Sequence, residues 1–282
     1  MLSADSPSGP RNESTKALML QIAKQYISTI GLYLPQRSIY SWAHESLGLT
    51  YIHRNLVSFK YFGFIDQEEV SEKYRLGWKL FQLGERAGSE FDVRKITAPY
   101  MNFLSASCGL SALLAIPFNG EALVTDALSS EGNVSISVKR GNRPLPHCSA
   151  QGRVALAYAN SAQRERLLNK TLEAPSPMAM TDKKGIMKRL LVIQDQLFEH
   201  APNETLVGIN VLSAPIFKNE DELIGILSLV GSVQHLPLTS SQDTVALLQG
   251  CASTISKYFQ SNSYERLGLK SSKSLKIPAV QI

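Results

Sequence analysis

From Thr50 to Tyr61 the sequence TYIHRNLVSFKY carries hydroxyl, imidazole, guanidinium, amide and ammonium groups and no carboxylate. A surface of donors and cations suits a polyanion, and a double-stranded nucleic acid offers both phosphates and base edges. Ile52, Leu56, Phe59 and Gly63 recur at helical spacing, which predicts a helix from Thr50 to about Tyr61 with that side inward. Tyr51, Arg54 and Ser58 then face outward, with His53 and Lys60 further round. A helix in the major groove presents its early outward residues to base edges and its flanks to phosphates. Thr50, Tyr51 and Arg54 are therefore the candidate base or backbone contacts, with Ser58 further along. Arg54 is the strongest of them, because its planar fork can hold guanine O6 and N7 together. Lys60 and Arg37 are candidate phosphate contacts, which position without reading sequence.

A second chemical stretch is PHCSAQGRVAL, where a loop enters a small-residue helix running from Ser149 to Ala159. Free amides at a helix start, together with its dipole, attract anions, so Ser149, Ala150 and Gln151 are candidates to hold a carboxylate. Reaction chemistry finds no comparable set. His147 and Cys148 are chain neighbours, whose side chains normally diverge, and His44, His53, His200 and His235 show no metal spacing. There is no CxxC or HxxEH, and RGNRP is too short and proline-locked to cradle a nucleotide. The sequence points to binding without catalysis, and to no cofactor or metal.

The elements that must carry these residues fill two domains, the natural division for 282 residues. A net charge of +5 permits a polyanion partner without demanding one. The opening residues lack a charged segment followed by an apolar one, and Cys108, Cys148 and Cys251 are scattered. The longest apolar runs, GLSALLAIPF and LIGILSLVG, fall short of the roughly 20 residues that span a bilayer. A cytoplasmic protein without disulfides or membrane contact is expected.

Residues 1–14 are a polar lead-in, and helices are expected from Thr15 to Thr29 and after a Ser38 cap. Gly48 turns the chain into the donor-rich helix, and GFIDQ and EKYRLG read as a hairpin. Helix, helix, turn, helix, hairpin is the order of a winged helix-turn-helix, here residues 15–77. An amphipathic linker helix follows over 78–95, with the boundary at about Phe91 to Ile96. The second domain, 96–260, is α+β with an antiparallel sheet flanked by helices. Its elements are a helix from Thr97 to Ser107, the strands LSALLAIPF and EALVTDAL about an Asn119–Gly120 turn, and an alternating strand NVSISV. The small-residue helix, another from Ser161 and a long one from Asp182 to Glu199 come next. The strands TLVGINVLSAPIF and ELIGILSLVG, joined at KNED, and a helix from Thr239 to Gln260 complete it. Residues 261–282 read as a loose basic tail.

Three blocks in this order resemble the IclR family of bacterial transcriptional regulators: KYRLGWKLFQLG, GNRPLPHCSAQGRVALA and VGINVLSAPIFKNEDELIGILSLVGS. With the elements between them they span residues 15–260. The resemblance implies a winged-helix DNA-binding domain, a linker helix and a GAF-like effector domain, acting as a homodimer or dimer of dimers on double-stranded operator DNA. It also implies an effector cavity lined by the segment at Ser149, Ala150 and Gln151 and, on the last strands, by Val211, Ser228 and Val230. Two valines among these imply an apolar pocket for a small organic effector, an aromatic compound or a carboxylate. A ligand-responsive repressor is the expected function. Two departures support a different reading, a sensor or scaffold whose winged helix binds protein instead of DNA. The chain has two fewer residues before the recognition helix than the family commonly has, and its wing tip EEVSE is acidic.

Overall fold

The computed structural model describes residues 56–68, 74–90, 92–130, 138–237, 242–268 and 277. The chain divides between Glu90 and Phe91 into two compact units. In the first, a helical segment at 56–61 leads into a hairpin of β1 (Ile65–Gln67) and β2 (Tyr74–Leu76), paired antiparallel with Asp66 opposite Arg75. Leu56 is buried and Phe59 meets Phe64 edge-on at 6.2 Å, so the inward side expected of this helix is the one that packs. Helix α1 (Trp78–Glu90) follows directly. The motif glycine before it, Gly77, has no room for a side chain: a Cβ there would lie 2.1 Å from the Gly63 oxygen. That approach lets the Gly77 amide donate to Phe64 O at 2.8 Å and joins hairpin to helix.

The second unit is a five-stranded antiparallel sheet in the order β4-β3-β7-β6-β5, with helices on both faces. It opens with α2 (Asp92–Cys108), followed by β3 (Ser111–Phe118) and β4 (Glu121–Leu128). Asn119 and Gly120 between these strands both take positive φ, as a two-residue type I′ turn requires. Three helices come next, α3 (Ala150–Ala157), α4 (Ser161–Leu168) and α5 (Lys183–Gln196). The edge strand β5 (Glu199–His200), the long β6 (Ile209–Lys218) and β7 (Glu222–Ser232), and helix α6 (Gln242–Tyr258) finish it.

Alternation along the strands sorts side chains to two faces. Ala112, Leu114, Leu212, Ala214, Leu227 and Leu229 pack with Tyr100 and Leu104 of α2 and Leu248 and Ile255 of α6. On the opposite face Ala115, Val124 and Ile226 pack with Val154, Leu167, Ile186 and Leu190 of α3 to α5.

The structure differs from the sequence reading in several places. Asp92 to Lys95, assigned to the linker, begin α2, because Val93 is buried in the sheet's core. Glu199 is not the end of a long helix. Leu197 turns left-handed at φ 56° and stops α5, and Glu199 pairs opposite Ser213 as a strand. Residues 205–208 form a turn, and β6 begins only at Ile209. The start of the tail is not loose. Tyr264 is buried, its hydroxyl donates to Pro215 O at 2.6 Å, and Ile277 joins the same core. The helices expected before Leu56, residues 69–73 of the wing and residues 133–137 of the NVSISV strand lie outside the described residues.

Candidate ligand-binding site

Helix α3 is eight residues long and every one of them is buried. Ser149 caps it, its Oγ accepting from the Gly152 amide at 3.0 Å and donating to Leu145 O at 2.6 Å. The serine hydroxyl is therefore committed, and its own amide donates to Leu145 O at 3.2 Å. What the helix end can still offer an anion are the amides of Ala150 and Gln151. A Cβ on Gly152 would sit 2.4 Å from Leu145 O, so glycine lets loop and helix close to this distance.

Ala150 belongs to a distinct apolar cluster with Leu113, Ala201, Val211 and Val230, flanked by Ala127, Val138 and Ile209. Strand register explains the grouping, because Val211 pairs with Val230 and both point to the α3 side. Three sequence-predicted residues, Ala150, Val211 and Val230, thus come together. Ser149 and Gln151 flank Ala150 in the chain and are buried. Ser228 lies one rank along the same face, where its Oγ is 2.8 Å from Ser213 Oγ, and both serines are fully buried.

Beside this cluster is an ionic group that sequence reasoning missed. Arg153, 1% exposed, donates to Glu204 through both terminal nitrogens at 2.7 Å and to Glu199 at 3.0 Å. It also donates to His147 O at 3.1 Å and His200 O at 3.0 Å. Glu199 in turn accepts from Arg189 Nε at 2.7 Å. Two cations balance two carboxylates, as burial of charge demands. A signal was present in the sequence: AQGRVALA has one charged residue among small and apolar ones, and a buried Arg must find a carboxylate.

The geometry does not favour nucleophilic chemistry. Burial and the Glu204 charge push the Cys148 thiol up to about 11, so it stays protonated at neutral pH. His147 Nε2 is held 2.7 Å from Glu173 O. Among the described residues no three His, Cys, Asp or Glu side chains cluster to hold a metal.

In the first unit, Lys60 is exposed and donates to Gln67 Oε1 of β1 at 3.2 Å, while Ser58 is half-buried. Arg37, Thr50, Tyr51 and Arg54 lie outside the described residues.

The second unit thus sets an apolar cluster against a helix start. The profile of the bacterial transcriptional regulator IclR C-terminal domain matches residues 86–257. The chain belongs to the IclR family of bacterial transcriptional regulators. Among its relatives is the HTH-type transcriptional regulator XynR of Escherichia coli K12, 27% identical over 181 residues, covering 63% of this chain and 71% of that protein. An IclR-type regulator from a Silicibacter species shares the fold at a TM-score of 0.72 and 15% identity, over 80% of this chain and 88% of that one. An IclR homologue from Microbacterium hydrocarbonoxydans, solved with 4-hydroxybenzoate, aligns at 0.64 and 24% identity, over 76% and 87%.

Proposed function

We propose that this regulator is a ligand-responsive repressor, working in the cytoplasm as a homodimer or dimer of dimers. One observation carries the effector half of the proposal: the Ala150–Val211–Val230 cluster abuts a helix start with two uncommitted amides. That pairing suits a molecule with an apolar body and one anionic end, held by Ala150 and Gln151 amides over the two valines, with Ser149 and Ser228 framing it. An aromatic carboxylate has this shape, and 4-hydroxybenzoate in the Microbacterium homologue is one. Operator DNA is the partner of a winged helix formed by residues 15–77. Thr50, Tyr51, Arg54 and Ser58 face the bases or their backbone, and Arg37 and Lys60 face phosphates. Effector binding shifts operator affinity by a coupling of about 1–3 kcal/mol, typical of such linkage.

A thermal-shift screen of aromatic and short aliphatic acids, repeated with DNA from upstream of the gene, tests both halves. Arg54→Ala should abolish specific retardation in a gel-shift titration while the oligomer stays intact, and unchanged affinity sinks the DNA assignment. The acidic residues Glu68, Glu69 and Glu72 of the wing favour the second reading, a winged helix that binds protein. Salt separates the two, because DNA binding must weaken steeply as ionic strength rises.

A further inference from the structure

The guanidinium of Arg153 ties together three chain segments beside the apolar cluster. It reaches His147 O in the loop entering α3, His200 O at the end of β5, and both oxygens of Glu204 in the turn that leads to β6. That turn is itself tied down. Ser176 Oγ donates to Asn203 O at 2.6 Å, the Met180 amide donates to Glu204 Oε2 at 3.1 Å, and the Gly208 amide donates to Asn203 Oδ1 at 2.7 Å. Ala201, at the start of the same stretch, is part of the cluster and donates its amide to Val211 O at 3.0 Å.

We propose that Arg153 is a positioning residue for the effector site, its planar fork fixing the spacing between the α3 entry loop 145–149 and the segment 200–208. The inference rests on reading the Ala150–Val211–Val230 cluster as the ligand site. The shape of the guanidinium carries the argument as much as its charge does. A fork can bind a carboxylate at two points and still reach two carbonyls on opposite sides. An ammonium at the same place can balance Glu204, but its three donors share one atom and cannot span both segments.

Hydrogen–deuterium exchange on the full chain, read by mass spectrometry, separates these contributions. In Arg153→Lys the segments 145–152 and 200–208 should exchange at least tenfold faster, while β3, β6 and β7 keep wild-type protection. Arg153→Met, which leaves two buried carboxylates facing a single arginine, should lose protection in those segments and in the strands too. Wild-type exchange of both segments in Arg153→Lys overturns the proposal, since charge alone would then suffice. Uniformly faster exchange across the second unit of Arg153→Lys overturns it as well, by showing a general stabiliser. The ligand reading fails separately, through absence of any thermal shift of the wild-type chain with 4-hydroxybenzoate and the other acids screened. The exchange result does not depend on that outcome.

Discussion

Substituting Gly152 by alanine tests how tightly the start of α3 is held. The added Cβ would lie 2.4 Å from Leu145 O, 2.6 Å from Ser149 Oγ and 2.7 Å from Pro146 Cα. Two of these atoms are backbone, and the third is the capping hydroxyl, so no flexible side chain can swing aside. The loop can retreat only by stretching the Ser149 Oγ to Leu145 O and Gly152 N to Ser149 Oγ hydrogen bonds. Overpacking of this kind costs about 1–3 kcal/mol. Weakening the cap adds about 1 kcal/mol. The better helix propensity of alanine offsets about 0.5–1 kcal/mol. The net expectation is a loss of about 1–3 kcal/mol. With a urea slope near 2 kcal/mol/M, the unfolding midpoint should drop by about 0.5–1.5 M. Far-UV circular dichroism measures it, while fluorescence of Trp42 and Trp78, both before the Glu90–Phe91 division, follows the first unit separately. Gly84→Ala in α1 is the control. Nothing lies within 4 Å of its added Cβ, so it should stabilise that helix by about 0.5–1 kcal/mol. A Gly152→Ala chain as stable as wild type, or more so, refutes the close-approach argument.

Gly77→Ala places a Cβ 2.1 Å from Gly63 O and 2.9 Å from the Phe64 carbonyl carbon, so the hairpin must part from α1. Operator affinity in a gel-shift titration should fall at least tenfold, with the circular dichroism of the sheet unit little changed. Burial lowers the His200 pKa below its ordinary 6.5, against the opposing charge of Glu199. The unfolded chain therefore takes up the proton first. Stability should be fully present above pH 6.5 and decline as pH falls below it, a slope that His200→Gln should flatten in urea titrations. Asp126 behaves likewise at lower pH. Burial alone would raise it, but the hydrogen bonds and charge of Arg94, with the charge of Arg140, hold it below the ordinary 3.8. Its stabilisation should be present above pH 3.8 and lost on further acidification, and Asp126→Asn should remove that acid-labile part.

The features legible in the sequence are those decided by a few chain neighbours. The Asn119–Gly120 turn marked Glu121–Leu128 as the returning strand to the residue, because the φ that each residue permits is a local property. Ser149 was recognisable as the residue that opens α3, since a cap needs only a hydroxyl within three positions of an amide. Ala150 was named from its place at a helix start, Val211 and Val230 through a family resemblance, and the fold then brought them together. Tertiary structure alone decided that β3 lies between β4 and β7, pairing Ser111 with Val230. It alone supplied Arg153 with carboxylates 46 and 51 positions away, and coupled Ser213 to Ser228. It also drew Tyr264 of the expected tail onto Pro215. Such contacts depend on which loops close and which charges must be neutralised once water is excluded, quantities that belong to the folded chain as a whole.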